Sequence, residues 1–199
     1  MEPVRNAGNI TQSRVRLHAA GDMMNRPFTN VYLIGPMGSG KTTIGQRLAE
    51  MLGLEFLDND HELEEQTGAS VSLIFDLEGE EGFRKREAQM IGELTQRRHI
   101  VLSTGGGSVL DETSRQNLRS RGYVVYLKAS VDILYERLKK SRNRPLMETE
   151  DKQKVIEELM AEREPLYLAV ADVTIATDGR SAQDVAREIF QQHDKHPNP

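Results

Sequence analysis

The sequence contains no cysteine and no tryptophan, and aromatic residues make up 5% of its 199 positions. Without cysteine no disulfide framework can form, and no apolar run is long enough to span a bilayer. The chain therefore reads as soluble and cytoplasmic, with no membrane partner. Scarce aromatics argue against stacking platforms for nucleic-acid bases. A formal net charge of −5 likewise argues against a nucleic-acid partner, while leaving room for a local basic pocket that takes an anionic ligand. No internal repeat is present, and the length suits one domain whose core needs no covalent staples.

What is present is concentrated between Asn30 and Leu48. An apolar β-rich run, Val31 to Ile34, turns through Gly35, Gly38 and Gly40 and continues into a helical pattern from about Lys41. Gly35, four residues, then Gly40-Lys41-Thr42 is the spacing of a P-loop. Glycines let backbone amides curl around phosphate oxygens, and the helix N-terminus adds a fixed partial positive charge. Lys41 is expected to reach the β- and γ-phosphates and the Thr42 hydroxyl to ligate Mg²⁺. A glycine-rich turn that binds nothing would share the spacing, but the strand before it and the helix after it favour the phosphate reading.

Along the chain, strands are expected at 31–34, 55–57, 100–103, 124–127 and 173–176. Helical patterns alternate with them, punctuated by Gly53, Gly68 and Gly79. The helix from about Lys152 to Ala169 is expected to be interrupted by Pro165, and Ser181 with Asp184 marks a capping box for the last helix. Alternation of this kind predicts one α/β domain with a parallel sheet covered on both faces. Residues 1–26 lack a sustained apolar period and read as a disordered extension, or as an artefact if translation starts at Met23 or Met24. The domain then spans 27–192, and 193–199 should fray. Within it the polar stretch 141–151, containing Pro145, reads as a surface connection or a mobile lid.

Several charged and glycine positions could carry chemistry beyond the P-loop. Asp58 and Asp60 stand at a strand end, where open α/β sheets place ligand groups. If both lie on a strand beside the P-loop they face the same side, so Asp58 could serve a Mg²⁺ water shell and Asp60 could accept a proton from an acceptor hydroxyl. The alternative is that Asp60 caps the helix starting at His61 and Asp58 is solvated. Arg84 and Glu87 are three apart on one helical face, so Glu87 could hold the guanidinium while its fork addresses a carboxylate. Gly105, Gly106 and Gly107 end a strand and permit close backbone approach by a ligand, the alternative being a tight turn that needs positive φ. Arg144 and Arg163 would add positive charge for phosphates and an anionic acceptor.

The motifs GPMGSGKTTIG, DND, FRKRE, TGGGSV, RPLM and REPLY, in this order, resemble the shikimate kinase family over roughly Thr29 to Phe190. The resemblance implies a nucleoside-monophosphate-kinase-like P-loop fold with a five-stranded parallel sheet; the chain is expected to work as a monomer. It also implies transfer of the ATP γ-phosphoryl group to the 3-hydroxyl of shikimate on the route to chorismate. It places ATP on Gly38, Ser39, Gly40, Lys41, Thr42 and Thr43, with Mg²⁺ on Thr42. It places shikimate on Asp60, Arg84, Gly106 and Arg163, and brings Arg144 from the lid onto the phosphates. Arg137 and Arg180 fall where the family has adenine-side contacts. The sequence departs from the family pattern at Asn59, at Leu146-Met147 and in its N-terminal extension.

Two rival readings remain at this stage. A gluconate or nucleotide kinase of the same fold would need a different acceptor pocket from the one that Arg84, Gly106 and Arg163 suggest. A binding module without catalysis would be expected to lose Lys41, Asp60 or Arg144, and the sequence retains all three.

Overall fold

The computed structural model describes residues 30–139 and 151–194. Short runs rich in branched and aromatic residues form β1 (Val31–Ile34), β2 (Glu55–Asp58), β3 (Ile100–Ser103), β4 (Tyr123–Lys128) and β5 (Val173–Ala176). All pair in parallel, in the order β2-β3-β1-β4-β5. Every residue of β1 and β3 is buried, as the middle of a doubly covered parallel sheet requires.

The helices are α1 (Lys41–Leu52), α2 (Asn59–Thr67), α3 (Val71–Leu94), α4 (Glu112–Arg121), α5 (Val131–Leu138), α6 (Lys152–Val170) and α7 (Ala182–His193). Because side chains alternate along a strand, β1 divides its apolar residues between two cores. Val31 and Leu33 pack with Ile44 and Leu48 of α1 and Val185 and Ile189 of α7. Tyr32 and Ile34 pack on the other face with Met90 and Ile91 of α3, Leu118 of α4 and Tyr167 of α6. The chain thus leaves β1 towards one face and leaves the adjacent β3 towards the other. A crevice opens between the two loops at the C-terminal ends of these strands, which is where such sheets bind ligands.

The structure corrects several expectations. β1 neighbours β3 and β4, so β2 does not lie beside the P-loop strand. Pro165 lies inside α6, which continues through it although the proline lacks an amide donor and its ring crowds the carbonyl one turn earlier. The break expected at Gly79 is present as a kink within α3, with φ 69° and ψ −176°, a conformation essentially reserved for glycine. Arg86 clasps Glu78 across that kink through two hydrogen bonds of 2.7 and 2.6 Å. The last helix extends through His193, one residue into the expected tail. Residues 1–26 and the lid stretch, with Arg144, lie outside the described residues, apart from Asp151, which caps α6.

Candidate active site

The turn after β1 places Gly35, Gly38 and Gly40 at φ 139°, 82° and 96°, the left-handed region that favours glycine. At Gly35 a side chain would also collide with the Leu127 carbonyl, 2.6 Å from where a Cβ would stand. The sequence's three turn glycines are therefore demanded by the backbone path itself. Gly40 precedes α1 and offers it no side-chain cap. The other described helices are each capped by an oxygen-bearing side chain, from Asp58, Ser70, Asp111, Ser130, Asp151 and Ser181. An uncapped helix start whose first turn carries no acid leaves amide donors and the positive end of the helix dipole for an anion.

Lys41 is 8% exposed and its Nζ donates to the carbonyls of Gly35 and Pro36 at 2.8 and 2.9 Å. The ammonium is thus folded over the loop, above the space the glycines enclose. The Thr42 hydroxyl donates to Asp58 Oδ2 at 2.8 Å. Ser39 is fully buried beneath the loop, and its amide donates to Pro36 O. Arg137 donates to Gly38 O at 2.8 Å, so α5 clasps the loop from outside. Arg180 is committed elsewhere, to Ala176 O at the end of β5 and to Asp184 O and Glu188 on α7.

Asp58 and Asp60 both line a cleft of about 280 Å³ with Gly38, Lys41, Thr42, Thr43, Gly105 and Gly106. The expected shared strand face is not the reason. Asp58 ends β2 and caps α2 by accepting from the Asp60 amide at 3.2 Å, while Asp60 already belongs to the first helical turn. The cap assigned to Asp60 as an alternative therefore belongs to Asp58, and the helical turn carries Asp60 back over the cleft.

On the far side, Arg84 Nη1 donates to Glu87 at 2.7 Å and Nη2 to Glu80 at 3.1 Å. Glu87 is 2% exposed and Arg163 5% exposed, so these two ionisable groups and Arg84 are largely withdrawn from water. Burial pushes the Glu87 carboxyl above its ordinary range, against the pull of the Arg84 guanidinium, and Asp60 adds to the push. Arg84 is lifted by Glu87 and Glu80 in spite of burial and stays charged. Among the described residues Arg84 Nε and Glu87 Oε1 have no hydrogen-bond partner. Such unfinished buried polar groups suit a bound polar ligand that would complete their hydrogen bonding.

The triple glycine has a cause that neither sequence reading contained. None of Gly105, Gly106 and Gly107 has positive φ. A Cβ at Gly105 would stand 2.0 Å from Glu87 Oε1, and one at Gly107 2.2 Å from Arg84 Nη1. One at Gly106 would approach the Met37 amide of the P-loop at 3.1 Å. The glycines make room for the Arg84–Glu87 pair on one side and the P-loop on the other. Tyr167, the last residue of REPLY, carries no role in the sequence reading. Its hydroxyl donates to the Gly106 carbonyl.

The residues present suit a nucleotide and a hard cation. A Cβ-free cradle with an uncapped helix start fits phosphates, and the Thr42–Asp58 pair offers two oxygen donors. Among the described residues there is no cluster of three metal-ligating side chains. A Mg²⁺ ion would take its remaining ligands from phosphates and water, as this ion commonly does. No described helix is long and apolar enough to cross a membrane.

Known proteins resemble this chain in sequence and in fold. The shikimate kinase of Actinobacillus pleuropneumoniae is 52% identical over 162 residues, covering 81% of this chain and 94% of that protein. A shikimate kinase from Acinetobacter baumannii, solved in complex with shikimate, superposes with a TM-score of 0.85 at 44% identity, covering 88% of this chain and 98% of that one. The deoxyadenosine kinase of M. mycoides with bound dATP, at 14% identity and TM-score 0.55 over 83% of this chain and 98% of that one, shares the fold alone. The family model for shikimate kinase matches residues 37–194, and the chain belongs to that family.

Proposed function

We propose that the chain transfers the γ-phosphoryl group of ATP to the 3-hydroxyl of shikimate, with Mg²⁺ at the phosphates. Family membership carries the phosphorylation of shikimate itself. The observation that supports the finer reading is one cleft that joins the phosphate cradle to Asp60 and the Gly105–Gly106 backbone, with the buried Arg84–Glu87 pair packed directly against that glycine loop. The amides of the loop and α1, with Lys41, would take the phosphates, Lys41 exchanging its carbonyl partners for phosphate oxygens. Thr42 and Asp58 would hold Mg²⁺, which when bound spreads the charge that develops on the transferring group.

Arg84, pre-aimed by Glu87 and Glu80, and Arg163 would clamp the carboxylate of shikimate. The Gly105 to Gly107 backbone would lie against its ring. Asp60 is placed to orient the acceptor hydroxyl and take its proton. Arg137 contacts the phosphate loop and fits a role on the nucleotide side, which Arg180, tied to α7, supports less directly. Arg144 is assigned the phosphates on the family pattern alone. A cytoplasmic monomer is the working unit in this reading, which light scattering tests.

The functional test is ADP release with shikimate set against gluconate, AMP and quinate, followed by ³¹P NMR of the product. Turnover with shikimate alone, and phosphate on the 3-oxygen, is expected. ADP release with gluconate or AMP but not with shikimate would replace the proposal with one of the rival kinases.

A further inference from the structure

The Gly105 to Gly107 backbone is held by hydroxyls whose placement the reaction itself does not explain. Glycine has no side chain to restrain its φ and ψ, so a ligand-facing glycine run loses more freedom on binding than other residues unless something fixes it first. Each planar trans peptide carries its carbonyl and the next residue's amide on opposite edges. Fixing a carbonyl therefore aims the following N–H.

The Gly105 carbonyl accepts from Ser108 Oγ at 2.8 Å and from the Ser108 amide at 3.3 Å, which aims the Gly106 amide. The Gly106 carbonyl accepts from the Tyr167 hydroxyl, which aims the Gly107 amide away from α6. Among the described residues neither amide donates to any protein acceptor.

Tyr167 is itself tightly packed. It is fully buried and its ring stacks on Tyr126 at 5.0 Å and 24°. It stands one helical turn after Arg163 on α6, and its hydroxyl lies in the field of Arg163, Glu87 and Arg84. Burial pushes its ionisation well above the usual tyrosine range, so it remains a donor at any working pH.

We infer that Tyr167 is a positioning residue for the acceptor. Through the Gly106 carbonyl it presets the Gly106–Gly107 peptide, and through α6 it keeps that peptide in fixed relation to Arg163. The inference rests on the shikimate reading of this pocket. It explains why a buried tyrosine hydroxyl points at a backbone carbonyl 61 residues away in a loop that glycine would otherwise leave slack.

The test compares Tyr167→Phe with Tyr126→Phe in the full chain. Tyr126 also loses a buried hydroxyl, but one that reaches Glu164 at 3.4 Å and no part of the glycine loop. Shikimate and ATP KM, kcat, calorimetric shikimate affinity without nucleotide, and the melting temperature are read for each. Loss of the hydroxyl, which bonds the Gly106 carbonyl and also interacts with Arg163, predicts a shikimate KM and Kd raised about 3- to 10-fold in Tyr167→Phe. ATP KM should hold, and Tyr126→Phe should match the unmutated chain on both ligands. Shikimate affinity unchanged in folded Tyr167→Phe would overturn the inference, as would equal losses in both variants or for both ligands. Failure of the unmutated chain to bind or phosphorylate shikimate would instead overturn the reading of the pocket.

Discussion

On the phosphate side of the cleft the contacts offered are backbone amides, one uncapped helix start and Lys41. On the acceptor side they are side chains gathered from α2, α3 and α6 around a glycine loop. Any nucleotide presents the same phosphates, so a local strand-turn-helix segment can serve them with few residues. A particular acceptor must be distinguished from close analogues, and that takes charges fixed at set distances from separate elements. The first construction sits within one stretch of sequence, while the second exists only after the sheet has formed. Their difference can be probed by breaking each end separately.

The largest effect is expected at the junction of the two. Asp60→Asn keeps the shape and removes the basicity, so kcat should fall by about 10²–10⁴ with ATP affinity retained. Because phosphoryl transfer is largely dissociative, part of that loss would come from misorientation, and a pH–rate profile separates the two contributions. Near-normal kcat at saturating shikimate and Mg²⁺ATP would withdraw Asp60 from catalysis. On the phosphate side, Lys41→Met should lower turnover by roughly 10²–10³, the scale of losing one preorganised group at developing charge. Its shikimate affinity should be untouched, and weakened shikimate binding in a folded Lys41→Met protein would show that the ends are not separable.

Gly107→Ala should act on the acceptor side alone. Its Cβ would stand 2.2 Å from Arg84 Nη1, and Arg84 cannot swing aside without leaving Glu87 and Glu80. Shikimate KM should rise by about tenfold or more, with stability down by roughly 1–3 kcal/mol from overpacking. Kinetics indistinguishable from the unmutated chain would mean the guanidinium is less constrained than its two carboxylates suggest.

The smallest effect is one of pH. Burial raises the Glu87 pKa in the folded chain, so Glu87 contributes stability that is fully present below its ordinary value of 4.5 and is lost as pH rises through the folded value. Glu87→Gln removes that dependence. Relative to the unmutated chain, the variant should therefore gain stability between pH 4 and pH 7 in urea unfolding. A gap that moves the other way would mean the pull of Arg84 outweighs burial.

The phosphate side was legible in sequence because its signal is local. Gly35 to Thr42 carry the spacing, and the apolar runs on either side identify strand and helix. Arg84 and Glu87 were legible as neighbours on a helix, but their burial was not, since it depends on α3 lying under the loop after β3. The same holds for Gly105 and Gly107, whose missing side chains are explained by atoms of Glu87 and Arg84. Asp58 and Asp60 look like strand neighbours in sequence because nothing there marks where β2 yields to α2. The structure puts that boundary between Asp58 and Asn59. Tyr167 escaped notice because its partner is a backbone carbonyl, which leaves no residue-type signature.

The most direct test of this two-part construction is calorimetric binding of shikimate and of an ATP analogue to Arg84→Ala. Losing a charge-assisted bidentate contact should cost on the order of 2–3 kcal/mol, so shikimate affinity should fall by roughly 30- to 150-fold while the analogue binds as it does to the unmutated chain. Equal loss of both ligands would contradict the account, because Arg84 would then be holding the fold together and not the acceptor.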